Sequence, residues 1–339
     1  MQQDLTLEIN ATLKIPGTSP VVLVGPNGSG KTRLAAVLVG HYGGLATLVA
    51  AQRALAIPDR LAPGIARDLA KTLASGSQNF VRSPWQPLND FAATLRLLRC
   101  AFAEHAENYL RRARVNPNEP LPQLTNLEVL GEMWCKHFPG RELHLGQDDP
   151  KVAILTDDEV VQHNAGQMSD GERAAVYAIA KVLAAPAGYV FVDEPELHLH
   201  FRAARGLWDD LELRRPDCRF VYITHDLPFA LTRADATYVA CRRGQEPALV
   251  DLSDLADELA PVMLGAACFA APTSRLVFCE GTSDSIDVQL YSAWFAASDA
   301  LVIPAGSCDR VVEAVKSAAV LPTVDSGKVQ GIIDRDYMP

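Results

Sequence analysis

The stretch "VVLVGPNGSGKT", residues 21–32, constrains this chain more than any other part of it. Four consecutive apolar residues read as a strand buried on both faces, and the run stops at a glycine-rich turn. The turn has the complete spacing G-x-x-x-x-G-K-T. Gly25, Gly28 and Gly30 let the backbone turn its N–H groups onto a phosphate chain, with Pro26, Asn27 and Ser29 filling the loop between them. Lys31 can reach the outer phosphates, and the Thr32 hydroxyl is a hard ligand for magnesium. "RLAAVLVG" then supplies the helix whose N-terminus faces the anion. A nucleotide with magnesium on an α/β sheet is the expectation.

Three later stretches fit the same chemistry. "GYVFVDEPELHLH" is a buried strand ending in Asp193 and Glu194, at the carboxyl edge where open parallel sheets place their ligands. Asp193 is the candidate for the magnesium shell, and Glu194 for orienting or deprotonating a water that attacks the terminal phosphate. "FVYITHD" is a further strand delivering His225, placed to contact that phosphate. "QMSDGERAAVYAIAKVLAA" opens a long helix on Ser169 and Gly171, a second anion site, while Ser169 and Glu172 also have capping-box spacing.

In this order "GPNGSGKT", "MSDGE", "VFVDEPELHLH" and "YITHD" resemble the ABC-type ATPases, in particular the non-transporter branch with SMC, RecF and the ATPase part of OLD nucleases. The resemblance covers roughly residues 1–262. It implies ATP and Mg as cofactors, and a dimer of two copies in which Ser169 of one contacts the phosphate bound by the other. It makes Gln52 the candidate for the glutamine linking metal to conformational change. Asp170 stands where the usual signature has glycine, and His200 where many relatives carry aspartate. Glu196, His198 and His200 have the look of a metal cluster, but the family form points to interface or switch roles.

Between these motifs, residues 89–114 lack Pro and Gly and space Phe91, Leu95, Leu98, Phe102 and Leu110 as one helix face. A second helix follows around "NLEVLGEMWCKHF". This resembles a helical lobe, about 81–140, inserted in the head. Arg111, Arg112 and Arg114 form a basic cluster that reads first as a solvated helix end and second as a nucleic-acid contact. The formal charge of −10 argues against bulk electrostatic binding of nucleic acid, so any such contact is local. Seven scattered cysteines without a C-x-x-C pair fit reduced thiols in a cytoplasmic protein. No apolar stretch is long enough to read as a membrane span.

Beyond Pro272 the pattern restarts as β-α-β-α-β: "RLVFCEGTSD", "SIDVQLYSAWF", "ALVIPAG", "DRVVEAVKSAAVL" and "KVQGIIDRD". In a parallel sheet Glu280 and Asp334 emerge at one edge, with Asp336 two residues on and Asp284 at the start of the first helix. Converging carboxylates repel unless a divalent cation is bound, and oxygen ligands favour magnesium or manganese. "VFCEGTSD" with "IIDRD" resembles a Toprim domain. That implies Glu280 as general acid or base and metal ligand, Asp334 and Asp336 as metal ligands, and Asp284 as a helper. Toprim domains usually continue past the Asp-x-Asp strand, whereas here three residues remain, so residues 272–339 read as a truncated domain.

The whole therefore reads as an α/β P-loop ABC-type ATPase head with a helical insertion, followed by a partial Toprim-like β-α-β-α-β domain. ABC-type ATPase before Toprim resembles OLD nucleases and PARIS-type anti-phage proteins. It implies an ATPase coupled to a Mg-dependent nuclease, with a second copy, a nucleic acid, and a phage-derived trigger or nuclease as candidate partners. The alternatives are a regulatory ATPase scaffold whose second domain only docks partners, and a RecF-like DNA-repair ATPase.

Overall fold

The computed structural model describes residues 5–51, 53–58, 60–61, 64–146, 150–155, 160–199, 201–233, 235–251, 275–281, 285–295, 300–319 and 329–333. Gln52, His200, Asp284, Asp334 and Asp336 lie outside the described residues. The chain divides into two units, Met1–Val250 and Asp251–Pro339.

The first unit opens with a small antiparallel pair, β1 (Leu7–Glu8) and β2 (Lys14–Ile15). The run 21–24 forms β3 (Val21–Val24), buried at every position, and α1 (Lys31–Tyr42) follows the glycine turn. Then come β4 (Ala46–Val49), α2 (Ala66–Arg82), α3 (Phe91–Val115) and α4 (Asn126–His137). Thr125 and Glu128 close a reciprocal capping box at the start of α4. An antiparallel sheet of β5 (Arg141–His144), β6 (Lys151–Leu155) and β7 (Val160–Asn164) leads to α5 (Asp170–Ala184). The unit ends with β8 (Gly188–Asp193), α6 (Phe201–Arg214), β9 (Cys218–Thr224), the short α7 (Leu227–Leu231), β10 (Thr237–Ala240) and β11 (Ala248–Val250).

Its main sheet runs β11-β10-β3-β9-β8-β4, parallel throughout except for the antiparallel β11 edge. Because β3, β8 and β9 are parallel neighbours, their carboxyl ends deliver the glycine loop, Asp193 and Thr224 to one edge. One face of the sheet packs Val21, Leu23, Phe191, Val221 and Ile223 against Ala35, Leu38 and Val39 of α1. Around Tyr222, Trp208 and Phe229 stack edge-on at ring distances of 5.7 and 5.5 Å.

Helix α2 precedes the lobe read from the sequence as beginning near residue 81. The basic cluster at the end of α3 is ion-paired, Arg111 with Glu107 and Arg112 with Glu119, each at 3.0 Å, as a solvated helix end would be. Among the described residues no helix is long and apolar enough to cross a membrane.

The second unit is a parallel three-stranded sheet in the order β13-β12-β14. Its elements are β12 (Arg275–Glu280), α8 (Ile286–Trp294), β13 (Ala300–Gly306), α9 (Cys308–Ala319) and β14 (Val329–Ile332). Gly331 within β14 lets α9 approach: a Cβ there would stand 2.9 Å from both Val311 and Val315.

Candidate nucleotide site

The glycines of the loop do different work. A Cβ on Gly25 would fall 2.1 Å from the Cys241 carbonyl oxygen, so only glycine lets the loop lie against the end of β10. Gly28 and Gly30 have φ of 79° and 95°. Gly30 is the N-cap of α1 and brings no capping side chain, which leaves the first N–H groups of the helix to serve a phosphate. Lys31 is buried, and its Nζ donates to the carbonyl oxygens of Gly25 (2.7 Å) and Pro26 (3.1 Å). Burial lowers the Lys31 pKa, opposed by the nearby Glu194, Asp193 and Glu196 carboxyls.

Asp193 ends β8 at 4% exposure. Burial, then the charge of Glu194, push its carboxyl from 3.8 up to about 7, against the pull of Lys31, a hydrogen bond from Thr32 and the charge of Arg53. Its Oδ1 is buried without a hydrogen-bond partner. A buried orphaned carboxylate oxygen beside a hydroxyl is a donor set suited to magnesium.

The chain then bends sharply. Glu194 has φ of 51° and His198 68°, left-handed values uncommon for residues with a Cβ, while the Glu194 amide still donates to Ile223 at 2.9 Å. The bend carries Glu194 to His225, with 2.6 Å between Oε2 and Nδ1. Burial would raise the Glu194 pKa, but His225, Glu196 and Lys31 outweigh it and the net shift is downward. The Glu194 carboxylate in turn raises His225. Glu196 accepts a hydrogen bond from Thr224 Oγ1 at 2.8 Å, and burial, followed by its hydrogen bond with Glu194 and then the charge of that group, raises its pKa well above the ordinary range. Glu194, Glu196 and His225 offer ligand atoms within 4.8 Å of one another, a different set from the Glu196, His198 and His200 grouping suggested by the sequence. The Thr224–Glu196 contact was missed in the sequence; its one signal was the Thr before His225 in "YITHD".

Ser169 caps α5, its Oγ accepting from the Glu172 amide at 3.3 Å while Glu172 Oε2 accepts from the Ser169 amide at 2.8 Å. Gly171 is required for contact: a Cβ would stand 2.8 Å from the His198 carbonyl oxygen, so the start of α5 lies against the bend after β8. Asp170, the departure from the usual signature, is exposed and ion-paired with Arg173, which lowers its pKa. A cleft of about 350 Å³ lined by Arg53, Leu55, Ala56, Asp170, Arg173 and His198 lies alongside.

In the second unit Glu280 ends β12, and Gly281 turns at φ of 101° so tightly that a Cβ would meet Ser285 Oγ at 2.2 Å. Strand β14 pairs with β12 through Cys279 and Ile332, so the strand that leads toward Asp334 adjoins the one that ends in Glu280.

A phosphate-binding loop, its lysine and a strand-end Asp-Glu pair on one edge of a parallel sheet define a P-loop nucleotide-binding head. A family profile described as ABC transporter matches residues 9–196, more than half of the chain, and the chain belongs to that family. It is an ATP-binding ABC-type ATPase. No curated protein matches the sequence. Among solved structures, the Smc head domain with an extended coiled coil bound to the C-terminal domain of ScpA, from Pyrococcus furiosus, is similar at 13% identity and a TM-score of 0.38, over 76% of this chain and 98% of that one. An SmcHead bound to the C-winged helix domain of ScpA aligns at 14% identity and 0.42, over 74% and 98%. A bacterial Atm1-family ABC exporter with ATP bound aligns at 14% and 0.40, over 78% of this chain and 41% of that one.

Proposed function

We propose that this chain hydrolyses ATP between two copies of itself and couples that cycle to a magnesium-dependent, Toprim-like nuclease in anti-phage defence. The observation that carries the ATPase half is Glu194, thrown beyond β8 by a left-handed bend and held ionised at 2.6 Å from His225, next to the Thr32–Asp193 pair.

On this reading the loop from Gly25 to Thr32, through Pro26, Asn27, Gly28, Ser29 and Gly30, wraps the phosphates with its N–H groups. Lys31 exchanges two loop carbonyls for the outer phosphate oxygens. Thr32 and Asp193 would hold a magnesium ion, which when bound would neutralise charge building on the leaving phosphates. Glu194 orients the attacking water and accepts its proton as the bond to phosphorus forms, and His225 fixes the Glu194 carboxylate and faces the terminal phosphate. Ser169 and Gly171 of the second copy close the site from the other side, and Gln52 senses the metal. In the second unit Glu280, Asp284, Asp334 and Asp336 form the nuclease site, directed at a nucleic acid after a phage-derived signal.

The test is a purified Glu194→Gln protein. It should bind ATP as the parent does and hydrolyse it at least ~100-fold more slowly; an unchanged rate sinks the assignment. For the second site, replacing Asp334 and Asp336 by Ala should end metal-dependent cleavage of DNA or RNA by the native protein. Persistent cleavage in that double variant would show the second site misassigned.

A further inference from the structure

Asp90 sits at the N-cap of α3 and does not cap it. Asparagine and aspartate are favoured there because a side-chain oxygen can take one of the free N–H groups of the first turn. Here both oxygens are spent across the lobe on α5: Tyr177 Oη donates to Oδ1 at 3.0 Å and Lys181 Nζ to Oδ2 at 2.7 Å. Tyr177 and Lys181 stand four apart, one above the other on the same helix face. All three are buried, at 2%, 0% and 5% exposure.

A second connection meets the first. The Arg53 guanidinium lies 5.3 Å over the Tyr177 ring, and Arg53 acts electrostatically on both Tyr177 and Asp193. Arg53 lies four residues beyond the end of β4, which pairs with β8 up to Val49 and Val192, one residue before Asp193. The Ala54 amide donates to the Leu88 carbonyl oxygen at 2.8 Å, which ties the same segment to the turn that leads into Asp90. Gly76 of α2 leaves room for this, since a Cβ there would stand 3.2 Å from Leu88 and 3.8 Å from Asp90. The segment that leaves β4, the neighbour of the strand ending in Asp193, is therefore joined through Arg53 to α5, whose N-cap is Ser169.

A buried ion pair is a poor choice for stability alone, because apolar side chains of similar volume hold helices at least as well without the desolvation cost. It does one thing that apolar packing does less well: directed contacts of fixed length set a helix's rotation and register. We infer that Asp90 is a positioning residue of the ATPase, which through Tyr177, Lys181 and Arg53 fixes α5, and with it Ser169, relative to the edge that holds Asp193. This rests on the proposed role of Ser169 at the phosphate of the second copy.

The test compares four variants of the full chain by melting temperature, ATP affinity and hydrolysis. Asp90→Leu with Lys181→Met removes the charges together at similar volume. It should melt no more than about 10 °C below the parent, the cost of leaving the Tyr177 hydroxyl without its acceptor, and bind ATP equally, yet show kcat at least about tenfold lower, equivalent to ~1.4 kcal/mol. Lys181→Arg, which keeps the pair, should stay within about threefold of the parent kcat. Should the double variant fail to fold, Tyr177→Phe removes one hydroxyl only and should lower kcat by about two- to fivefold at unchanged melting temperature. Parent-like kcat in either the double variant or Tyr177→Phe, in a folded protein, overturns the inference. Ser169→Ala separates the two ideas: a parent-like rate there removes the role of Ser169 and this inference with it. A dead Ser169→Ala beside a fully active double variant rejects the Asp90 role alone.

Discussion

Replacing Asp193 by Asn should make the nucleotide-free protein more stable while ending ATP hydrolysis. Asp193 is held where its charge is unwelcome, with burial and then Glu194 pushing its carboxyl from 3.8 up to about 7. A carboxyl whose folded value lies above its unfolded value opposes folding wherever it is ionised. The cost begins as pH rises past the unfolded value, grows up to the folded value and is constant beyond it. The interval from 3.8 to about 7 is roughly three pH units at ~1.4 kcal/mol each, or about 4 kcal/mol at pH 8 and less than half of that at pH 5. Asparagine is neutral at both pH values and keeps an oxygen for the Thr32 hydroxyl. At ~2–4 °C per kcal/mol for a unit of this size, its melting temperature should rise by on the order of 10 °C at pH 8 and by about half as much or less at pH 5. Calorimetry in chelator, without nucleotide, reads both. Equal gains at the two pH values, or a loss at pH 8, would refute the argument, because only the ionised Asp193 side chain carries the cost. The magnesium that this carboxylate is proposed to hold is what makes its misfit worth keeping.

Gly25→Ala should weaken ATP binding by at least about tenfold with little change in folding, because the loop must move to clear the Cys241 carbonyl at 2.1 Å; nucleotide titration checks it, and parent-like affinity would show that the loop gives way freely. His225→Gln should cost stability in acid and less as pH rises. The Glu194 contact raises the His225 pKa, so its contribution is complete below pH 6.5 and fades as pH passes the raised value; urea melts across pH 6 to 9 read the closing gap. Arg219→Met should destabilise the first unit by about 3–5 kcal/mol. It removes donors to the carbonyl oxygens of Ser19 (2.9 Å), Leu5 and Ile15 (2.6 Å each) and Pro16 (3.3 Å), which fasten the β1–β2 pair beneath β9; an unchanged midpoint would place that pair outside the cooperative unit.

What was legible in the sequence is what is local. Loop, strand end and histidine each sit within a few residues of an apolar strand, and parallel pairing of β3, β8 and β9 then brings them together without further information. The capping box of Ser169 and Glu172 was legible for the same reason, since its two members are three residues apart. The Asp90 contacts were not, because Asp90 meets Tyr177 and Lys181 across 87 and 91 residues and each looks ordinary in its own stretch. Helix α2 was hidden by Ser75, Gly76 and Ser77, which weaken a helix in isolation. In the fold that glycine is what allows Leu88 and Asp90 to come close, so the residue that argues against the helix locally is one that the packing requires.

The second unit divides along the same line. Its alternation of strand and helix was readable because right-handed crossovers leave few ways to arrange three parallel strands. The observed order puts β12 in the centre, so the strand ending in Glu280 touches both of the others and shares its carboxyl edge with β14. Topology alone therefore puts the carboxyl ends of β12 and β14 at one edge. Adjacency of strand ends is a matter of backbone pairing alone. The head differs here, since a buried Asp193 oxygen without a hydrogen-bond partner, beside the Thr32 hydroxyl, is a donor set suited to magnesium that strand order could not supply. The head site thus rests on the misfit of one charge, whereas the proposed carboxylate site of the second unit rests on the pairing of β12 with β14; Glu280→Ala should weaken magnesium binding in a metal titration against the parent, and parent-like binding would remove Glu280 from that proposed site.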